Sequence, residues 1–113
     1  MLKDAKRLYQ EKSLRSAADR AYYSMFHAAH AALAHQGVKA PRSHRGLRSV
    51  FGQELVSTGV IEREYSRDLT KAHEARQEST YEAYGQIDDQ EVADLISGAE
   101  GFLARIKRLT TEA

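Results

Sequence analysis

The stretch from Asp19 to Ala34 carries arginine, tyrosine and histidine side chains at helical spacing, beside a separate line of apolar residues. The residues on this polar line are Arg20, Tyr23, His27 and His30. An imidazole can move a proton near neutral pH, and a guanidinium can stabilise the extra charge on a phosphorus centre during reaction. Tyrosine rings can stack against nucleobases. These residue types would therefore suit metal-free RNA cleavage, in which the neighbouring 2′-hydroxyl is the nucleophile.

A second candidate residue is Arg76, which falls where the apolar stripe of a later helix calls for an aliphatic side chain. An unpaired buried guanidinium is too costly, so we expect Arg76 to be paired or to lie at an interface. The alternative is a purely structural ion pair within the chain, with Asp19 or Glu74.

A third candidate is the basic cluster at the start of the predicted third helix. Its members are Arg42, His44, Arg45 and Arg48. Together with free N–H groups at the helix start, such a cluster would suit a phosphate. The alternative is a solvated basic loop, since single basic clusters are common.

The elements that must position these residues are helices. Apolar periodicity, capping residues and glycine stops predict a short leading helix and four longer ones. The expected segments are 2–12, 13–36, 43–57, 62–84 and a last helix that begins after Asp88. We predict one domain, residues 1–113, folded as an all-α antiparallel bundle of four main helices with a short leading helix.

Several functional classes lack support in the sequence. The chain has no cysteine, which excludes disulfides, thiolate nucleophiles and Cys-based zinc sites. It contains no HExxH motif, no Gly-rich phosphate loop and no GxSxG elbow, and two histidines three residues apart make a weak metal case. We therefore expect no metal and no cofactor. No apolar leader or membrane-spanning stretch is present in the sequence, so we expect a cytoplasmic protein that does not enter a membrane.

The net charge of +1 hides an asymmetry. Residues 1–48 carry ten Lys/Arg against three Asp/Glu, whereas residues 62–94 carry four against ten. Such a dipolar chain could pair with its own copy or offer its basic half to an anionic ligand. Alternatively, the charges simply solvate helix surfaces.

Three sequence stretches together resemble the HEPN domain family. These are DRAYYSMFHAAHAAL, SHRGLRSVFG and ARQESTY, which occur in the family's order across nearly the whole chain. The resemblance is closest to short, free-standing prokaryotic members, often encoded beside a minimal nucleotidyltransferase as a toxin–antitoxin pair. It implies a homodimer, a nucleotidyltransferase partner, and a cleft where two subunits bind RNA or a nucleotide. In active members, that cleft is a metal-independent ribonuclease site with an Arg-x4–6-His motif.

The match to that motif is incomplete, because Arg76 is present while residues 81–83 read Tyr-Glu-Ala instead of supplying a histidine. We assign catalytic roles to Arg76, His27 and Tyr81. We assign RNA or nucleotide binding to Arg20, Tyr23, His44 and Arg45. We also expect Arg20, Tyr23 or His27 to lie within reach of Arg76 or Tyr81. The alternative function is a non-catalytic partner module of a nucleotidyltransferase antitoxin.

Overall fold

In the computed structural model, residues 1–81 and 88–111 are described, without the side chains of residues 78–81. Within these ranges the chain is all-helical, as predicted, and contains no strand. The helices are α1 (Leu2–Gln10), α2 (Leu14–His35), α3 (His44–Phe51), α4 (Arg63–Tyr81) and α5 (Asp89–Thr111), and a π-helical segment (Gly52–Val56) continues α3. No described helix is long and apolar enough to cross a membrane.

Local sequence signals account for most helix ends. Gly37 and Gly59 adopt positive φ angles of 75° and 80° just after their helices, a conformation that glycine takes at little cost. The Ser43 side chain caps α3 by accepting a hydrogen bond from the Gly46 N–H at 3.0 Å. At the start of α5, Asp88 accepts a hydrogen bond from the Gln90 N–H at 3.1 Å.

The structure differs from the predicted elements in two places. Ser13 stands at the N-cap of α2, but its side chain makes no capping bond. Instead, a backbone bond from the Ser13 N–H to the Leu8 carbonyl (2.9 Å) and a φ of 63° at Lys12 end α1 early. The predicted third helix changes at Gly52 to π-helical bonding, in which the Ser57 N–H donates to the Gly52 carbonyl at 2.9 Å. The predicted end of the fourth helix near Tyr84 lies outside the described residues.

Helix α2 lies at the centre of the bundle and contacts α1, α3, α4 and α5. Its alanine-rich stripe is fully buried, which lets the neighbouring helices approach closely. The largest fully buried side chains are Tyr22, Phe51, Phe102 and Met25. Because α2 holds the core on one side and the polar line on another, the residues of that line are fixed to a rigid support.

Candidate functional site

Three helices bring aromatic and basic side chains together around Tyr22. Helix α2 contributes Asp19, Tyr22, Tyr23 and Phe26, which lie three or four residues apart or adjacent and so share one side of the helix. Helix α3 contributes residues from its first turns, and α4 contributes two residues three apart. We call this set the aromatic–basic cluster; its members are Asp19, Tyr22, Tyr23, Phe26, His44, Arg48, His73 and Arg76.

Arg76 is held by a carboxylate and two tyrosines. Its Nε donates to Asp19 Oδ1 at 2.8 Å, and its Nη2 donates to the Tyr23 hydroxyl at 3.2 Å. The Cζ atom lies 4.9 Å from the Tyr23 ring centre and 5.7 Å from that of Tyr22, within range of a cation–π interaction. The hydrogen bond to Asp19 raises the pKa of Arg76, against the opposing effect of burial. Asp19 is thus the carboxylate partner, and the expected proximity of Tyr23 to Arg76 is present.

This environment explains why arginine is tolerated on a mostly apolar stripe. The Arg76 side chain is 23% exposed and lies against the tyrosine rings, so the guanidinium is largely sheltered but still reached by solvent. A sheltered guanidinium interacts more strongly with an anion than a fully solvated one, because the local dielectric is lower. The exposed part of Arg76 is therefore suited to contact with a phosphate.

Tyr22 and His44 form a direct polar pair inside the cluster. The Tyr22 hydroxyl lies 2.7 Å from His44 Nδ1. Burial raises the pKa of Tyr22 to about 12, although the nearby Arg48 and Arg76 charges oppose this shift, so the phenol stays protonated at neutral pH. If Tyr22 donates, His44 carries its proton on Nε2; if Nδ1 donates, Nε2 is left as a base. Only the second arrangement, in which the Tyr22 oxygen accepts from Nδ1, leaves Nε2 of His44 able to accept a proton.

His44 and His73 are both held towards the neutral form. Their rings lie 5.2 Å apart, and each lies 5.4 Å from the Tyr22 ring. Burial lowers the pKa of His44, and the charges of Arg76 and Arg48 lower it further. Burial likewise lowers the pKa of His73, and the nearby Arg48, His44 and Arg76 lower it further. Neutral imidazoles at physiological pH are able to accept a proton.

Arg48 adds an unsatisfied donor to the cluster. Its Nε is buried and has no hydrogen-bond partner among the described residues. A buried guanidinium N–H without an acceptor is costly, and such groups are commonly satisfied by an anion or water. Its charge acts on Tyr22, His44 and His73. Arg48 therefore belongs to the same electrostatic unit as Arg76.

The other predicted site residues lie at or beyond the rim of the cluster. His27 is exposed, with its ring 6.2 Å from that of Tyr23. Arg20 is exposed on a separate cleft between α1 and α2, and Arg45 is exposed on the first turn of α3. The side chain of Tyr81 lies outside the described residues. The structure therefore brings together Arg76, Tyr23 and His44, and the roles assigned to these three and to the other site residues stay predictions.

Sequence reasoning did not assign site roles to Tyr22 or His73, and it named Arg48 only as one member of the basic cluster at the start of α3. Tyr22 lies on the apolar side of α2 and is fully buried, but its hydroxyl also contacts His44. His73 precedes Arg76 by three residues, a spacing that places both on one helix face and could have identified it. Among the described residues, no three His, Asp or Glu side chains are grouped in a way that could hold a metal ion.

Sequence comparison relates the chain to a known domain family. The chain matches the HEPN domain over residues 1–109. It is 36% identical over 111 residues to a Methanocaldococcus jannaschii protein named as a "putative toxin", covering 98% of this chain and 81% of that protein. It is 33% identical over 108 residues to a Thermotoga maritima protein named only as a UPF0332 protein, and the match covers 96% of this chain and 81% of that protein. By the extent of these matches, the chain belongs to the HEPN domain family.

Proposed function

We propose that this HEPN protein is a toxin-like RNA-binding protein that uses the aromatic–basic cluster to hold and cleave RNA without a metal ion. The name of the M. jannaschii relative supports the toxin-like role. The cluster supports the chemistry, because it combines a sheltered guanidinium, neutral imidazoles and aromatic rings. The observation that carries the proposal is Arg76, bonded to Asp19 and Tyr23 yet 23% exposed.

The proposed reaction needs only groups that the chain and an RNA strand supply. The 2′-oxygen attacks the adjacent phosphorus and the bond to the 5′-oxygen breaks, leaving a cyclic phosphate. A neutral imidazole takes the 2′-hydroxyl proton, and an acid returns a proton to the 5′-oxygen. His44 is the base best supported by geometry, and exposed His27 at the rim is the candidate acid. Arg76 would stabilise the extra negative charge on the phosphorane.

The remaining assigned residues would position the strand. Tyr23, whose ring faces the Arg76 guanidinium, would stack against a base, and Tyr81 would orient the substrate. Arg20 and Arg45 would contact the phosphate backbone through their exposed side chains.

We further propose that the active unit is a homodimer and that a minimal nucleotidyltransferase is its antitoxin partner. Both follow from the family resemblance. The opposite charges of residues 1–48 and 62–94 offer complementary surfaces for such assembly.

A non-catalytic role is the second candidate, and the Asp19 contact favours it. Asp19 already neutralises much of the Arg76 charge, and the motif histidine is replaced at residues 81–83. On this reading the chain is a partner module that docks the nucleotidyltransferase. Co-expression of the chain with the product of its neighbouring gene, followed by purification, tests this reading. Recovery of only the free homodimer would count against it.

The test of cleavage is incubation with a mixed RNA pool in EDTA. Wild type, Arg76→Gln and Arg105→Gln are compared, because Arg105 is another partly buried, ion-paired arginine, bonded to Glu62 at 2.7 Å. We expect wild type and the Arg105 variant to cleave and the Arg76 variant to lose activity. Equal cleavage by all three would remove Arg76 from the mechanism.

A further inference from the structure

A cleft of about 430 Å³ lies between α1 and α2, beside the aromatic–basic cluster. It is lined by Asp4, Arg7, Leu8, Arg15, Ser16, Asp19 and Arg20. Its volume falls in the range of small-molecule sites, roughly 300–1,000 Å³, and is sufficient for one nucleotide unit. Three guanidiniums on one concave surface favour an anionic ligand.

The two aspartates in the cleft do not cancel this preference. Asp4 lies 3.9 Å from Arg7 Nη2, and both side chains are more than half exposed, so the pair is weak and easily separated. Asp19 faces the cleft but accepts the hydrogen bond from Arg76 Nε. The Arg76 guanidinium therefore offsets part of the negative charge that Asp19 brings to the cleft wall. Arg20 makes no ion pair with the described residues and is available to a ligand.

We propose that this cleft, here called the α1–α2 cleft, is a second phosphate-binding site, in which Arg7 and Arg20 bind a phosphate group. Guanidiniums bind phosphate oxygens through paired N–H donors, which gives both affinity and orientation. Leu8 supplies a half-buried apolar surface on which the sugar or base of the same nucleotide can rest.

The position of the cleft gives it a defined relation to the proposed RNA site. Arg20 precedes Tyr23 by three residues on α2, so their Cβ atoms are about 5–6 Å apart. Asp19 forms part of the cleft wall and also bonds Arg76. A strand whose reacting phosphate meets Arg76 can therefore place a neighbouring phosphate in the cleft. This connection rests on the proposed function, whereas phosphate binding by the cleft does not.

The test measures binding of inorganic pyrophosphate, AMP and a short RNA to the full chain by calorimetry. The variant Arg7→Glu/Arg20→Glu is compared with Arg63→Glu/Arg67→Glu, which changes the same net charge on a separate shallow groove of α4. We expect the cleft variant to bind pyrophosphate at least about tenfold more weakly and the α4 variant to remain within about twofold of wild type. If the cleft binds part of an RNA strand, the short RNA should bind more tightly than AMP. If the cleft binds a free nucleotide, AMP should bind as tightly as the RNA.

Asp19→Asn supplies a test in the opposite direction. Removing one negative charge from the cleft wall, and releasing the Arg76 guanidinium, should strengthen pyrophosphate binding by roughly threefold to tenfold. The gain should disappear when Asp19→Asn is combined with Arg7→Glu/Arg20→Glu, and a gain that persists in that combination comes from Arg76 and counts against the cleft.

Two results would overturn the proposal. One is no pyrophosphate binding by wild type at millimolar concentration, and the other is equal weakening by the cleft and α4 variants. Failure of the proposed function is seen separately. A chain that binds pyrophosphate in the cleft, yet does not cleave RNA in EDTA, keeps the phosphate site and loses the ribonuclease role.

Discussion

The Asp19–Arg76 ion pair should stabilise the fold more than an ordinary surface pair does. Exposed pairs contribute about 0–1 kcal/mol, whereas breaking a buried pair costs about 3–5 kcal/mol. Here the side chains are 41% and 23% exposed, so the pair lies between these limits. Because Arg76 also keeps its contacts with Tyr23, we expect a coupling free energy of about 1–2 kcal/mol.

The assay is a double-mutant cycle of Asp19→Ala and Arg76→Ala in urea unfolding at one protein concentration. The control cycle uses Lys6 and Glu100, which are also 2.8 Å apart but are 52% and 49% exposed. We expect the control coupling to stay below about 0.5 kcal/mol. Equal coupling energies in the two cycles would refute the reasoning that the tyrosine rings shelter the Arg76 pair.

Three further predictions concern the pH dependence of stability, one partly buried hydrogen bond and two helical glycines. Burial lowers the pKa of His44 and His73 below 6.5, so just below that pH the unfolded chain binds more protons than the folded chain. The free energy of unfolding should therefore fall as the pH drops through 6.5. In urea titrations, His44→Gln/His73→Gln should flatten this dependence. Tyr22→Phe removes the 2.7 Å bond to His44 and should cost about 0.5–1.5 kcal/mol in the same assay, and an unchanged midpoint would show that the bond contributes nothing. Gly46→Ala should lower the melting temperature, because a Cβ there would lie 2.7 Å from Ser43 Oγ. Gly101→Ala has open space around the new Cβ and should raise the free energy of unfolding by about 0.5–1 kcal/mol. The reverse order of stability would contradict this packing.

The helical fold follows from signals that act locally along the chain. The apolar stripe of α2, the Ser43 cap and the positive-φ glycines Gly37 and Gly59 each depend on a few neighbouring residues, so sequence reasoning places them well. The early end of α1 is different. It depends on a positive φ at Lys12, a non-glycine residue whose side chain pairs with Asp89, distant in sequence.

The candidate site was only partly predictable, because its members meet through tertiary packing. The sequence indicates Arg76 as a charge on an apolar stripe, and it offers Asp19 or Glu74 as the carboxylate and Tyr23 as one of three possible neighbours; the structure shows Asp19 and Tyr23. The role of Tyr22 was hidden by its apolar ring, since a residue on a core stripe is expected to pack rather than to bond a histidine. Arg48 was one of four basic residues that could either bind a phosphate or form a solvated loop, and sequence alone did not show that its Nε is buried.

The most direct test of the central claim, that the aromatic–basic cluster binds RNA, is the affinity of a fluorescent RNA for Arg76→Gln and Arg105→Gln at fixed salt. Both substitutions remove a partly buried, ion-paired arginine, but only Arg76 lies in the cluster. We expect Arg76→Gln to weaken binding at least about tenfold, because a charge-assisted contact is worth about 1.5–3 kcal/mol, and Arg105→Gln to bind like wild type. Equal affinities for the two folded variants would contradict the claim.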